Sequence, residues 1–308
     1  MRKSLFAVVA VVAAAGAAVA VGAAVAGCGG GSSPFENAPR TPLAGMQVNW
    51  TDVWVAGAND VWAIGNGQLF HYDGSGWTLA ALPEAQRGVI ALWGASPTQI
   101  WAVGSDRIYT YNGTSWTVQT APSTGGDLAT IHGSSPTDIW AVGDNGAAVH
   151  FDGAAWTRRG IGGSFSETVW VAGPMDAWLA GTFDFKKWNG ASWVDLDSET
   201  DHYRAVGIWG FSKNDLWVSG EDNAFIHSNG STWTRYEFDD EVFEEYADLW
   251  GPAPNDIWAV GGRGFIRHWN GTDWDRVSSG TDQPLYEVHG GGGEVWICGY
   301  NTLLRLSK

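Results

Sequence analysis

The sequence predicts an all-β fold: a seven-bladed β-propeller of four-stranded blades, its last blade closed by the N-terminal segment. Three observations predict it. First, Trp62, Trp101, Trp140, Trp178, Trp217, Trp258 and Trp296 recur at intervals of 38 to 41 residues. Second, each has an acid or Gln two positions before it (Asp60, Gln99, Asp138, Asp176, Asp215, Asp256, Glu294) and Gly three positions after it. Third, two further aromatic columns keep the same period. One comprises Trp54, Trp93, His132, Trp170, Trp209, Trp250 and His289; the other comprises Trp77, Trp116, Trp156, Trp193, Trp233 and Trp274, each just after an Asp-Gly or Asn-Gly pair. A period of about 40 residues carrying four short strands is the signature of propeller blades.

Residues 127–160 show the elements in order. Leu128 to Gly133 alternates like a strand, and Ser134-Ser135-Pro136-Thr137 reads as a turn. Asp138 to Val142 is a second strand, stopped at Gly143; Ala147 to Phe151 is a third. Asp152-Gly153 signals a tight hairpin of type I′, and Trp156 opens the fourth strand. The 21 Trp of this 308-residue chain fall mostly into the three columns, so their excess is read as packing between blades. The seventh repeat has only three strands before the chain ends at Lys308. An unpaired edge would be left. Counting back from Trp54 by the 16-residue spacing of the next repeats aligns Ala38 with Trp77, which predicts a closing strand over 37–43.

The N-terminus reads as an address. Arg2-Lys3 precedes an uncharged run from Leu5 to Ala26, and Val25-Ala26-Gly27-Cys28 resembles a bacterial lipobox, in which the Cys becomes an acylated N-terminus. The expected division is a lipoprotein signal peptide over 1–27, acylated Cys28 with a flexible tether over 28–37, and the propeller over 38–308. By resemblance to enterobacterial lipoproteins, Gly29 rather than Asp after the Cys implies outer-membrane sorting. The membrane is then a partner through the lipid anchor. Removing Arg2 and Lys3 takes the formal charge from −16 to −18. Such a charge argues against nucleic-acid binding.

Candidate chemistry is sparse. His71, His150, His227 and His268 each stand two before Asp/Asn-Gly, in different repeats, and are read as hydrogen-bonded packing residues. Cys298 falls in a core column and reads as an inert thiol. Lys186 and Arg267 replace apolar third-strand residues beside Trp188 and Trp269, and blade packing is the preferred reading there. The acids are more informative. A run from Glu237 to Asp248 and a group from Asp195 to Asp201 lie in fourth-to-first strand connections; Asp144, Asp184, Glu221 and Asp222 lie in second-to-third turns. Both connection types share one propeller face. The candidate ligand-binding residues are therefore Asp184, Glu221, Asp222, Asp239, Asp240 and Glu241, for a basic partner. No cofactor is expected, and a weak Ca²⁺ site is the one metal reading that the carboxylates suggest.

Trp93-Gly-Ala-Ser-Pro-Thr-Gln-Ile-Trp-Ala-Val-Gly104 and Asp138-Ile-Trp-Ala-Val-Gly143, with the Asp/Asn-Gly-x-x-Trp that follows, resemble the BNR/YVTN-like (loosely WD40-like) propeller repeats of bacterial lipoproteins of the myxobacterial type. A looser likeness is to tectonin-type lectins. Sialidase Asp-boxes space Asp and aromatic by five residues, whereas Asp73 and Trp77 are four apart. The resemblance implies the propeller fold; the acidic face and the lack of a catalytic constellation point to a monomeric, non-catalytic binding or scaffold module on the cell envelope, for an envelope protein or glycan. The alternatives are a carbohydrate-binding lectin and an envelope-polymer hydrolase or lyase with its site at the channel mouth.

Overall fold

The computed structural model describes residues 34–37, 47–83, 88–162, 166–181, 184–196, 200, 203–220, 223–238 and 245–307. The chain divides into Met1–Gly31 and Ser32–Lys308, and only the second unit falls within the described residues. No helix there is long and apolar enough to cross a membrane; the expected signal peptide and Cys28 lie outside the described residues.

The second unit is a seven-bladed propeller of four-stranded antiparallel sheets. Blade 1 runs Trp50–Gly57, Asp60–Gly65, Gln68–Tyr72 and Trp77–Leu79, and blades 2 to 6 repeat that order. The first strands of successive blades contact one another in a closed cycle around the axis. Each first-column residue faces its second-strand Trp directly, as in Trp54↔Trp62, His132↔Trp140 and His289↔Trp296.

The cores lie between blades, not within them. Seven buried clusters among the described residues each draw on two consecutive blades. Strand alternation sends second-strand Trp forward and fourth-strand Trp backward, so the two meet at the interface. Trp62 meets Trp116 edge-on at 5.5 Å, Trp140 meets Trp193 at 5.0 Å, and Trp217 meets Trp274 at 5.5 Å. Such contacts add to simple burial of area.

The ring closes with the N-terminal segment, but three residues earlier than the spacing predicts. Glu36–Asn37 pairs antiparallel with Arg305 and Leu304 and becomes the fourth strand of blade 7. By that register Phe35 takes the place of the fourth-strand Trp. It is buried and meets Trp258 edge-on at 5.7 Å. The connection to blade 1 is longer than its counterparts, so a fixed count of 16 points to Ala38, whereas the aromatic itself marks Phe35. Residues 38–46 lie outside the described residues.

The Asp/Asn-Gly turns also differ from the expected type. Only the Gly is left-handed, at φ 87° in Gly74 and 90° in Gly153. The Asp or Asn side chain instead accepts two backbone N–H groups: Asp73 Oδ1 takes those of Ser75 (2.9 Å) and Gly76 (3.0 Å), and Asn112, Asp152, Asn189, Asn229 and Asn270 do likewise. The Ser75 hydroxyl, donating at 2.6 Å, and then these N–H groups pull the Asp73 carboxyl down to about 2.

Among the described residues of the closing segment, Phe35 is the buried anchor. Phe35→Ala is expected to cost about 3 kcal/mol and to lower the melting temperature by roughly 5–10 °C; an unchanged melt contradicts this account of closure.

Candidate functional site

The first aromatic column surrounds the channel and fits the following blade by size. A Cβ at Gly133 would stand 2.7 Å from the Trp93 ring, and one at Gly210 2.8 Å from the Trp170 ring. Trp54 occupies the same space at Gly94, and Trp250 at Gly290. Trp209 Nε1 donates to Gly251 O at 3.0 Å. Where the column holds His, the next blade holds Val in place of Gly. The Val171 N–H donates to His132 Nδ1 at 3.1 Å, and the Val55 N–H donates to His289 Nδ1 at 3.0 Å. A large ring on Gly accounts for four junctions, the Trp209–Gly251 hydrogen bond for a fifth, and His on Val for the other two. His132 of blade 3 also meets Trp209 of blade 5 edge-on at 6.2 Å, so rings of non-adjacent blades touch across the axis.

Both histidines are kept neutral. An Nδ1 that accepts a backbone N–H carries no proton, which puts the proton of the neutral ring on Nε2. Burial lowers His132 to about 4 and His289 to about 3. These values lie below the unfolded value of about 6.5. Their contribution to stability is therefore complete above pH 6.5 and is lost as the pH falls toward 4 and 3.

Two residues before this column, toward the face where the fourth-to-first connections enter, three consecutive blades carry acids: Asp248 in blade 6, Glu287 in blade 7 and Asp52 in blade 1. Each follows a bulge in its strand, a device that re-aims side chains. Asp52 Oδ2 accepts the Leu92 N–H of blade 2 at 2.7 Å. Asp248 Oδ2 accepts the Val288 N–H of blade 7 at 2.9 Å. Asp248 and Asp52 both act on the Glu287 carboxyl. Burial, with the neighbouring carboxyls, pushes Asp52 up to about 8 and Glu287 well above the usual range; burial pushes Asp248 up to about 7. Cys298 stands behind them, fully buried, its thiol raised by burial. Perturbed carboxyls gathered in a concavity are the usual mark of a site, and the acidic channel is the strongest one here.

Sequence reasoning missed this cluster. Asp248 reads as the end of an exposed acidic run, but it faces the axis with Glu287 and Asp52. The signal was the column itself, since Ala91, Thr130, Thr168 and Gly207 hold the same position in the other blades. Of the expected ligand-binding residues, Glu221, Asp222, Asp239, Asp240 and Glu241 lie outside the described residues, as does the side chain of Asp184. Asp144 is described: half-buried in its second-to-third turn, its carboxyl is raised by burial and by Asp127.

The third-strand histidines are locked within their blades. His71, His150, His227 and His268 place Nε2 2.7–2.8 Å from Asp60, Asp138, Asp215 and Asp256, respectively. Each lies over its second-strand Trp, with centroids 4.1 Å apart for His71 and Trp62. In blade 4 the cation is Lys187, 4.7 Å over Trp178 and 3.3 Å from Asp176; in blade 7 it is Arg305, bound to Glu294. The acid two before six of the seven Trp is thereby explained as the buttress of this stack; in blade 2, Gln99 and Thr110 take the two places. Trp188 and Trp269 are buried in blade interfaces, and Arg267 Nε donates to Tyr246 Oη at 2.7 Å. Among the described residues, no group of three or more His, Cys, Asp or Glu is arranged to hold a metal ion.

In nuclear magnetic resonance spectra of the imidazole nitrogens, His132 and His289 are expected to remain neutral, with the proton on Nε2, down to pH 5. Titration of either near pH 6.5 contradicts the assigned hydrogen bonds.

No family model matches the chain, and no curated protein matches it. Solved propellers do. A structure of YCF48 bound to D1 peptide is 17% identical with a TM-score of 0.72, covering 90% of this chain and 98% of that one. A catalytically inactive virginiamycin B lyase from Staphylococcus aureus with quinupristin is 14% identical with a TM-score of 0.75, covering 88% and 98%. The WD40 propeller domain of Doa1 is 12% identical with a TM-score of 0.71, covering 84% and 92%. At these identities the likeness is one of fold.

Proposed function

We propose that this chain is a non-catalytic binding module of the cell envelope, held to the outer membrane by lipid on Cys28. Its partner is a protein or peptide with a basic surface that docks on the face bearing Asp184, Glu221, Asp222, Asp239, Asp240 and Glu241. The observation that carries the binding reading is the channel. Its axis is occupied by the aromatic column, its two axial histidines are tied up by backbone N–H groups, and three acids, Asp52, Asp248 and Glu287, stand beside them. A cluster of negative charge at one face favours association with a positive partner and sets its rate. Solved propellers of similar shape include one bound to a peptide, which supports a partner of that kind. The lipobox-like Val25-Ala26-Gly27-Cys28 supports the anchor.

Cross-linking the acylated protein in its native envelope tests this reading. The expected result is a protein partner whose capture falls at least tenfold when the six acids are replaced by Asn or Gln, and falls with added salt. Cys28→Ser is expected to release the chain from the membrane fraction. Salt-independent capture, selective binding on a glycan array, or turnover of an envelope polymer contradicts the proposal.

A further inference from the structure

Each blade ends its first and third strands at one side of the ring and its second and fourth strands at the other. The first-to-second and third-to-fourth turns therefore lie on the face opposite the acidic connections. Blade 4 departs from its neighbours on that face. In five blades a polar residue of the first-to-second turn rests on the Gly of the third-to-fourth turn: Asn59 on Gly74, Thr98 on Gly113, Thr137 on Gly153, Asn214 on Gly230 and Asn255 on Gly271. In blade 4 that residue is Met175, seated on Gly190 and still 58% exposed. The residue after the fourth-strand Trp departs in the same direction. It is Thr78, Thr117, Thr157, Thr234 or Asp275 elsewhere, and in blade 4 it is Val194, 43% exposed.

The charge beside these two side chains is positive. Lys187, opposite Val194, takes the place that His holds in four blades. Its Nζ lies 3.3 Å from Asp176 Oδ1, and Nζ of Lys213, in the first-to-second turn of blade 5, lies 3.9 Å from Asp176 Oδ2. Two ammonium groups thus share one carboxylate. Lys186 and Asp195 balance each other at 3.7 Å. The third-to-fourth turns of blades 4 and 5 open on Asn189 and Asn229, where blades 1 and 3 have Asp73 and Asp152. An apolar and cationic patch therefore stands on a chain of formal charge −16.

The N-terminal strand enters from this same face. Glu36 lies opposite Arg305 and Asn37 opposite Leu304, antiparallel to the third strand of blade 7. The strand therefore runs away from the third-to-fourth side and has Phe35 and Pro34 at that side. Cys28 precedes Pro34 by six residues, a reach of at most about 20 Å. Blades 7 and 4 stand on opposite sides of the ring, three junctions apart.

We infer that the face bearing Met175, Val194, Lys187 and Lys213 lies against the anionic headgroups of the bilayer that holds Cys28, with the acidic face turned toward water. The inference rests on the lipid anchor proposed above. The tether holds the rim at blade 7 near the bilayer, and the patch brings down the rim at blade 4. Lysines are drawn to anionic lipid, and apolar side chains beside them bury in the interface. The same lipids repel the acidic connections, so the charges of both faces favour one orientation.

Hydroxyl-radical footprinting of residues 28–308 tests this, with Cys28 coupled to a maleimide-bearing lipid in vesicles of phosphatidylglycerol and phosphatidylethanolamine. Chemical coupling supplies the anchor, so the result is separate from whether the cell acylates Cys28. Met175 is expected to oxidise at least about threefold more slowly than in the uncoupled chain, as the bilayer attraction of its lysines implies. Tyr300, in a second-to-third turn of the opposite face, is expected to keep its rate. Val194→Thr with Lys213→Gln keeps Met175 as reporter and is expected to lose most of the protection. Exchanging phosphatidylglycerol for phosphatidylcholine reads the same charge dependence in the wild type, should the variant not fold. Unprotected Met175, protection of Tyr300 instead, or protection indifferent to lipid charge overturns the inference. So does protection of Met175 in the uncoupled chain as its concentration rises, which assigns the patch to a second copy.

Discussion

The structure depends on how each blade's axial side chain seats on the next blade. A four-stranded sheet of short strands has two apolar faces and cannot bury either alone. Stacking around an axis solves this, but it brings seven inner strands close together, where volume is scarce and close packing is unforgiving. The chain meets the constraint with one large ring per blade and one vacancy per neighbour. Five junctions use Trp against Gly, and two use His against Val with a hydrogen bond in place of the lost contact area.

Function sits on what this packing leaves over. The Trp columns are consumed by the interfaces, and the third-strand histidines by their Asp and Trp partners, so neither group is free for ligand chemistry. Among the described residues, the carboxyls of Asp52, Asp248 and Glu287 remain at the channel position. Asp52 and Asp248 accept N–H groups from the following blade, as the axial histidines do, so these carboxyls also join blades.

Much of this was legible in the sequence. The Trp and Gly columns gave blade number, strand order and the location of the cores, because a strict period forces every blade to bury the same positions. The missing fourth strand of blade 7 was legible too. Its position was misjudged because loop length varies while side-chain register does not; Phe35, the aromatic that precedes Trp50, carried the true signal. The pairing of His132 with Val171 and of His289 with Val55 was also written in the chain, but it appears only when columns are compared between neighbouring blades. The channel carboxyls stayed hidden because Asp248 is continuous in sequence with an acidic run, and Asp52 and Glu287 stand far from it in sequence.

The most direct test of the account is a double-mutant cycle at a Trp-on-Gly junction rebuilt in the His-on-Val form. A Cβ at Gly94 would meet the Trp54 ring before anything else. Gly94→Val and Trp54→His are each expected to lower unfolding stability, the first by about 1–3 kcal/mol through overpacking. The combined variant is expected to be more stable than the sum of the two changes by at least about 1 kcal/mol, within the range known for touching residues. Additive losses in the double variant would contradict size matching between neighbouring blades as the constraint on this ring.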